Sequence, residues 1–447
     1  MNFEMIPFPE LLSAIVDNRG KTCPVGDVGI PLIATNCVDR SNLYPSYATT
    51  RFVTEDTYKT WFRGHPLPGD ILFVCKGDPG RTSLVPDPVD FCIAQDMVAV
   101  RADPAKVDPK YLFAALRSSI VQDQIESLHV GTMIPHFKKG DFGKLNIPVV
   151  SREAQEFIGD LYFTMSKRIA LLRETNANLE AIAQALFKSW FVDFDPVRSK
   201  SEGRAPESMN EATAALFPDD FEGSGFGPVP RGWQNSTLGA ICVESGGAIQ
   251  TGPFGSQLHA SDYLSVGVPV VMPQDMQSRR VQVEKIARIG DADADRLSRH
   301  QLRLGDIVFS RRGDVGRHAL VGEREEGWLC GTGCLLVRPG VAWPSSLFLS
   351  LALDRADTKE WLLRHAVGAT MPNLNTGILN AVPIIRPDAA VLNAFDEIVR
   401  VLDGSISHNL GCVRTLVELR DVLLPRLISG QLRLHEVEQF TEAMTGT

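Results

Sequence analysis

The 447-residue chain has no Pro-Pro dipeptide, no Cys-x-x-Cys pair and no apolar run near the roughly 18–20 residues of a membrane span. Each gap excludes a class of function. Without such a run, no helix is expected to cross a bilayer. The opening MNFEMIPFPE lacks the basic flank and apolar block of a signal peptide, so a cytoplasmic protein is expected. Eight unclustered cysteines suit reduced thiols. Cys330 and Cys334 stand closest, without the further pair of ligands that zinc requires. No two histidines stand nearer than seven residues, which removes the metalloprotease helix. Gly20–Thr22 reads GKT, but Ile15 occupies the place of the first glycine of a phosphate loop. No serine lies in a G-x-S-x-G elbow. No Glu has a Lys two places on, as a Mg²⁺ nuclease with a Glu-x-Lys pair would show. The missing Pro-Pro removes the usual holder of an exocyclic base amine, and GTG at Gly331–Gly333 is too short for a methyl-donor loop. No catalytic residue, metal site or cofactor is therefore expected in this chain. A basic excess is missing too. The net charge of −9 argues against nonspecific coating of nucleic acid, although a local basic face stays open. With 44% hydrophobic and 22% charged residues, the chain reads as globular, with two or more domains.

What the chain does have is a repeat. GDILFVCKGDPGR (Gly69–Arg81) returns as GDIVFSRRGDVGR (Gly305–Arg317). GIPLI at Gly29 is matched by GVPVV at Gly267, VGTMIPHF at Val130 by VGATMPNL at Val367, and IPVV at Ile147 by VPII at Val382. The four matches keep their order, at offsets of 235 to 238 residues. A tandem duplication of a unit about half the chain long explains that order, and a repeat governs any fold assignment.

Each copy closes with a heptad-patterned segment. Between Ser151 and Phe194, Ile158, Met165, Leu172, Leu179 and Leu186 recur every seven residues, with Leu161 and Ile182 three places on from two of them. Glu153 and Glu156 stand in the first turn, where the helix dipole favours them. The second stripe is Leu392, Phe395, Val399, Leu402, Ile406, Asn409, Val413, Leu416 and Leu423, with Asp388 as N-cap. One Asn in such a seam costs stability and fixes register. Gly404 and Gly411 weaken the helix, and Pro425 is expected to end or kink it. Helices of about 35 residues reach about 50 Å, enough to hold two globular units apart. Each helix could pack on its own domain, but heptads at the end of both copies favour a helix pair; if the two pair antiparallel, the copies sit at opposite ends.

The Gly-, Pro- and Ser-rich stretch Arg198–Trp233 reads as a linker. Ahead of each long helix, short runs such as GDILFV, MVAVRA, GDIVFS and CLLVRP alternate with turns, interrupted by helical pieces at Pro109–Ile125 and Ser346–Ala366. Each copy is thus α+β. The divisions expected are 1–150 and 233–386 for the two domains, 151–197 for the central helix, 198–232 for the linker and 387–447 for the closing helix and tail.

The repeated frame reads as a strand, a turn and a returning strand, with Arg311, Arg312 and Arg317 near the hairpin tip. Arg299 to Arg317 holds five Arg against two Asp, in an acidic chain. Lys76 and Arg81 take the matching places in the first copy. Arginine pairs bidentately with guanine or with phosphate, so these are candidate DNA contacts; the alternative is a solvated tip whose Gly and Asp serve the turn. His136, Lys138 and Lys139 follow the turn of VGTMIPHF, with Lys144 beyond, as candidate phosphate contacts. The counterpart offers Asn373 and Asn375 to a base edge. Ser256 and Gln257 lie in the Gly-rich turn TGPFGSQLH.

Taken in order, these residues resemble the specificity subunit of type I restriction–modification systems, over nearly the whole chain. The resemblance rests on the doubled G-D-I-x-F frame and on GPFGSQLHASDYLSVGVPVV at the entry to the second unit. ALFKSWFVDFDP (Ala185–Pro196), LFPDDFEGSGFGPVPRGW and LLPRLISGQL (Leu423–Leu432) complete it. It implies an α+β fold with two tandem-duplicated target-recognition domains separated by an antiparallel pair of long coiled-coil helices. It implies that each domain reads one half of a gapped double-stranded DNA target, while the helices set the spacer and dock two modification (methyltransferase) subunits. A restriction (translocase/nuclease) subunit completes the assembly, and methyl donor, Mg²⁺ and ATP are used by those partners. The first unit departs from the pattern, offering DNRGKTCPVGDVGIPLI in place of a GPFGS entry. Three alternatives are a stand-alone two-headed DNA-binding protein, which the charge of −9 disfavours, a scaffold that never meets DNA, and an enzyme fused from restriction parts, against which the missing methyl-donor and Pro-Pro motifs argue.

Overall fold

The computed structural model describes residues 3–18, 21–48, 51–131, 133–224, 227–368 and 370–432; the tail expected beyond Leu432 lies outside them. The chain forms two compact units, Met1–Ala177 with Ser407–Thr447, and Asn178–Ile406. Each unit holds one α+β copy and part of both long helices, so the division falls inside the helices rather than at their ends.

In the first unit an antiparallel sheet runs in the order Leu12–Asp17, Met97–Ala102, Ile71–Val74, Thr82–Leu84. In the second the order is Ala248–Thr251, Cys334–Arg338, Ile307–Ser310, His318–Leu320. The connectivity is identical. Both copies add a parallel pair, Ile30–Ile33 with Cys92–Ile93 and Val268–Val271 with Leu329–Cys330. Both close on an antiparallel pair just before the long helix, Glu4–Pro7 with Asn146–Val149 and Gln234–Thr237 with Pro383–Arg386.

The repeated strands are buried on both faces, which is why their apolar runs are continuous. Strand periodicity sends Ile71 and Phe73 into a helix-backed core and Leu72 and Val74 into a second core. Ile307 and Phe309 part from Val308 in the same way. Each helical piece read from the sequence is two helices, Pro109–Arg117 with Ser119–Leu128 and Ser346–Asp354 with Ala356–His365. Extended backbone at Ser118 (ψ 150°) and Arg355 (ψ 145°) breaks both at matching places.

The central helix spans Arg152–Phe191 and the second long helix Ala389–Ile428, 40 residues each, or about 60 Å. They pair antiparallel, as expected. In the first unit Ile158 and Tyr162 share a core with Leu424 and Leu427, and Ile169 and Leu172 pack with Val413 and Leu416. In the second, Phe187, Trp190 and Phe191 meet Phe395 at ring-centroid distances of 6.1, 5.9 and 4.9 Å. Such ring pairs add about 1 kcal/mol each beyond the area they bury.

The seam differs from expectation in one respect. The other half of the central-helix stripe lies four residues on from the heptad leucines, at Tyr162, Ile169, Asn176, Ala183 and Trp190, all buried. Ile182 is 53% exposed and Leu161 half-buried. Arg420 fills the seam position between Leu416 and Leu423, buried and 5.4 Å from the Tyr162 ring centroid. Asn409 does lie in the seam, where its Nδ2 donates to Asn176 Oδ1 at 2.8 Å. Replacing Asn409 alone by Leu removes this bond to the buried Asn176 amide and is expected to cost about 1–3 kcal/mol. Replacing Asn176 as well should recover most of the loss. A denaturant double-mutant cycle measures this, and simply additive losses would show that the two amides do not act as a pair.

At the helix ends and the linker, one expectation is met and three are corrected. Asp388 Oδ1 accepts the Ala390 N–H at 2.8 Å, as an N-terminal cap. Pro425 does not end the helix, which continues to Ile428. The central helix stops at Phe191, and Phe194, at φ +56°, turns the chain into a short helix at Asp195–Ser201. Residues 198–232, expected as a linker, also carry the helix Glu211–Ala215 and a hairpin of Phe221–Ser224 with Gly227–Pro230. Lys200 Nζ donates to the Ala214 and Phe217 carbonyls, and Phe217 and Trp233 are buried in the core of the second unit. Aromatic side chains turn this polar stretch into part of the domain.

Candidate nucleic-acid interface

The repeated hairpin leaves its sheet into a turn that docks, by backbone hydrogen bonds, on the second repeated motif of the same unit. In the second unit Leu374 N donates to Arg311 O (2.8 Å) and Gly313 N to Pro372 O (3.0 Å), with Arg312 and Asn373 paired across the contact. The loop beneath closes on itself, Val367 N donating to Asn373 O and Asn373 N to Val367 O, at 3.0 and 2.9 Å. The first unit repeats the geometry. Phe137 N donates to Cys75 O (2.8 Å) and Gly77 N to Pro135 O (2.9 Å), Lys76 pairs with His136, and Val130 and His136 exchange backbone bonds at 3.0 and 2.8 Å. Two candidate pairs from distant motifs, Lys76 with His136 and Arg312 with Asn373, are thus neighbours.

Beneath each hairpin lies a buried ion pair. Asp70 and Asp306, the acids of the repeated Gly-Asp, are both 2% exposed. Asp70 accepts from Arg101 Nε and Nη2 at 2.8 Å each; Asp306 accepts from Arg338 Nε at 2.8 Å and Nη2 at 2.5 Å. Each also accepts a backbone N–H, from Leu67 or Arg303, at 2.8 Å. The Gly-Asp of the frame is therefore scaffold, and the chemistry presented outward is that of the residues after the strand.

The other candidates are placed as follows. Arg312 and Lys138 are exposed, Lys76 and Arg311 half-buried, and among the described residues none forms an ion pair within 4.0 Å, Asp141 near Lys138 being paired with Lys144. Arg311 Nε and Asn373 Oδ1 are buried without a hydrogen-bond partner among the described residues. Arg317 pairs with Asp314 (3.1 Å), Arg81 with Asp78 (3.3 Å) and with the Val38 carbonyl (2.9 Å), and Lys139 with Asp17 (2.9 Å). Asn375 Oδ1 caps the helix Thr376–Asn380 through the Ile378 N–H, at 2.9 Å. Gln257 Oε1 accepts the Phe254 N–H at 3.0 Å, and Ser256 beside it is exposed. The structure thus leaves the free basic and amide groups on the hairpin-and-loop pairs.

Sequence reasoning passed over Arg101 and Arg338, although they stand 237 residues apart inside the repeat. No group of three or more metal-ligating side chains occurs among the described residues. Seven of the eight cysteines are buried. Burial pushes the thiols of Cys75, Cys92 and Cys242 up to about 12, so they act as small apolar side chains. No described helix is long and apolar enough to cross a membrane.

Comparison with known proteins points one way. The type I restriction modification DNA specificity domain family matches residues 34–181. The specificity subunit of the type I restriction enzyme HindI from Haemophilus influenzae is 27% identical over 414 residues, covering 81% of this chain and 86% of the relative. The MjaIX specificity subunit of Methanocaldococcus jannaschii is 22% identical over 333 residues, covering 73% and 70%. The crystal structure of a type I S subunit from M. genitalium shares the fold, with a TM-score of 0.58 at 18% identity and 96% of each chain covered. Duplicated α+β modules, an antiparallel helix pair and similarity along most of the chain agree: the chain is similar to the specificity (S) subunits of type I restriction–modification systems.

Proposed function

We propose that this subunit, the non-catalytic specificity component of its system, reads a gapped DNA target, one half with each α+β module. The observation that carries the reading is the doubled hairpin-and-loop pair, presenting Lys76 with His136 in one module and Arg312 with Asn373 in the other. Two modules of one topology with different side chains at matching places suit two half-sites of different sequence. Phosphate contacts from the basic residues position each module, and amides such as Asn373 read base edges. The long helices set the unread spacer and dock two modification subunits; a restriction subunit joins them. Methyl donor, Mg²⁺ and ATP serve those partners, in the cytoplasm. A chain of net charge −9 suits such an assembly, in which partners supply much of the surface around the DNA.

Mapping modified bases in DNA from cells carrying this chain with its partner subunits tests the reading. Two defined segments at one fixed spacing are expected, and a continuous motif overturns it. Neutralising Arg311, Arg312 and Arg317 together is expected to reduce the salt slope of DNA binding by the complex by about 2–3. A scaffold that never meets DNA predicts no change.

A further inference from the structure

The turn joining Met276–Gln277 to Arg280–Val281 lies in the second unit, outside the interface described above. Ser278 and Arg279 at its tip both have positive φ, +48° and +60°, a conformation that residues other than glycine rarely adopt in succession. The surroundings hold them there. Leu320 N donates to the Arg279 carbonyl at 2.9 Å, tying the turn to the edge of the recognition sheet. The Arg279 side chain, 9% exposed, donates to Ser350 Oγ at 3.2 Å and to the Glu180 carboxylate on the central helix. Its neighbour Arg280 donates to Asp403 on the second long helix at 2.5 Å. One turn therefore grips the sheet, a domain helix and both long helices.

In the first module Lys110 of a domain helix pairs with Asp160 of the central helix at 2.6 Å, and the loop contact has the opposite polarity. There Arg173, on the central helix, donates to the Ser41 carbonyl at 2.9 Å and to Asn42 Oδ1 at 3.4 Å. Arg117 donates to the Asn42 carbonyl at 2.7 Å. At the loops, a long-helix donor, Arg173, meets loop acceptors in one module, and loop donors meet long-helix carboxylates in the other.

We infer that Arg279 and Arg280 are positioning residues that clamp the second recognition module at one angle on the helix pair, and so hold the protein to one spacer length. The inference rests on the gapped-target reading. One added base pair moves a half-site about 3.4 Å along the duplex and about 35° around it. The second module also packs on the central helix through Phe348 against Phe187 and Phe191, but such apolar contact is non-directional and leaves a small rotation cheap. A module bonded separately to each of two helices cannot pivot about either bond without breaking the other.

The test uses the whole complex and the same modification mapping. Wild type should show two segments at a single spacing, and its failure to do so removes the parent reading and this inference with it. With Arg279→Ala and Arg280→Ala combined, selection against spacers one base pair longer or shorter should fall about tenfold, with the bases of both segments unchanged. Strict spacing in that variant, or an even loss at every spacing, overturns the clamp. So does loss of the second segment's bases, which marks an unfolded module. Asp403→Asn, which keeps the side-chain shape, should relax spacing in the same direction, and unchanged spacing counts against the clamp. Exchanging the charges, Arg280→Asp with Asp403→Arg, should restore strict spacing; no recovery also overturns it.

Discussion

Replacing Asp306 by alanine should strongly destabilise the second recognition module and leave the first standing. The carboxylate is 2% exposed and binds Arg338 through two parallel bonds, while Oδ2 also takes the Arg303 N–H at 2.8 Å. Without it, Arg338 keeps one carbonyl, that of Gln301 at 2.8 Å, for a guanidinium only 19% exposed. Breaking such a buried pair from one side costs about 3–5 kcal/mol, because a desolvated charge and a backbone donor are left unmatched. That is a large share of the roughly 5–15 kcal/mol that holds a domain together. By contrast, Glu360→Ala removes a well-exposed partner of Arg364 and should cost about 0–1 kcal/mol. Denaturant unfolding reads the stability, and modification mapping reads the function, with only the second segment of the target lost. Asp70→Ala should do the same to the first module, less severely, since Arg101 is 33% exposed. A loss below about 1 kcal/mol for Asp306→Ala would mean that the ion pair is not what holds the hairpin.

Gly267→Ala is the second large effect expected. Gly267 has φ +141°, and an added Cβ would lie 2.1 Å from the Ile289 carbonyl oxygen. Its counterpart Gly29 has φ +129°, with the Val53 oxygen 2.3 Å away. Both open the repeated GVPVV and GIPLI strands, where the chain enters the small sheet against a neighbouring strand. A methyl group there meets backbone that belongs to the sheet and cannot give way, so each substitution should cost about 3 kcal/mol or more. Gly404→Ala should act in the opposite direction. Its helical Cβ meets nothing within 4 Å, and relief of the glycine penalty should raise stability by about 1 kcal/mol. Thermal melts of the three variants decide it. Equal shifts would refute the steric account.

The duplication, the α+β character of each copy and the stripe of the second long helix were legible because they are local patterns. Large apolar residues at heptad spacing announce a seam wherever the chain goes, and Leu392 to Leu423 fall where the spacing placed them. Along the central helix only half of the seam was readable. Tyr162, Asn176, Ala183 and Trp190 carry no common apolar signature, and they became seam residues because the opposite helix presents Arg420, Asn409 and Phe395 to them or their neighbours. The linker misled for the same reason. Its Gly and Pro content is that of a tether, but Phe217 and Trp233 find a core prepared for them by the central helix.

The candidate interface divides along that line. Basic residues in the repeated hairpin were visible as a local excess of charge. Their division into free groups, such as Arg312 and Lys138, and paired ones, such as Arg81 and Lys139, was not. Partner choice depends on residues far along the chain: Arg101 reads as a charge ending an apolar strand until Asp70 is found beside it, and His136 becomes a neighbour of Lys76 only across the backbone contact. By itself, then, the sequence determined that there are two copies of one module, each followed by a long amphipathic helix, since periodicity and repetition are properties of the chain. Which charges are buried in pairs, which stay free and how the second module is clamped were decided by tertiary structure alone, because Coulomb and hydrogen-bond energies depend on distances that folding creates between remote residues.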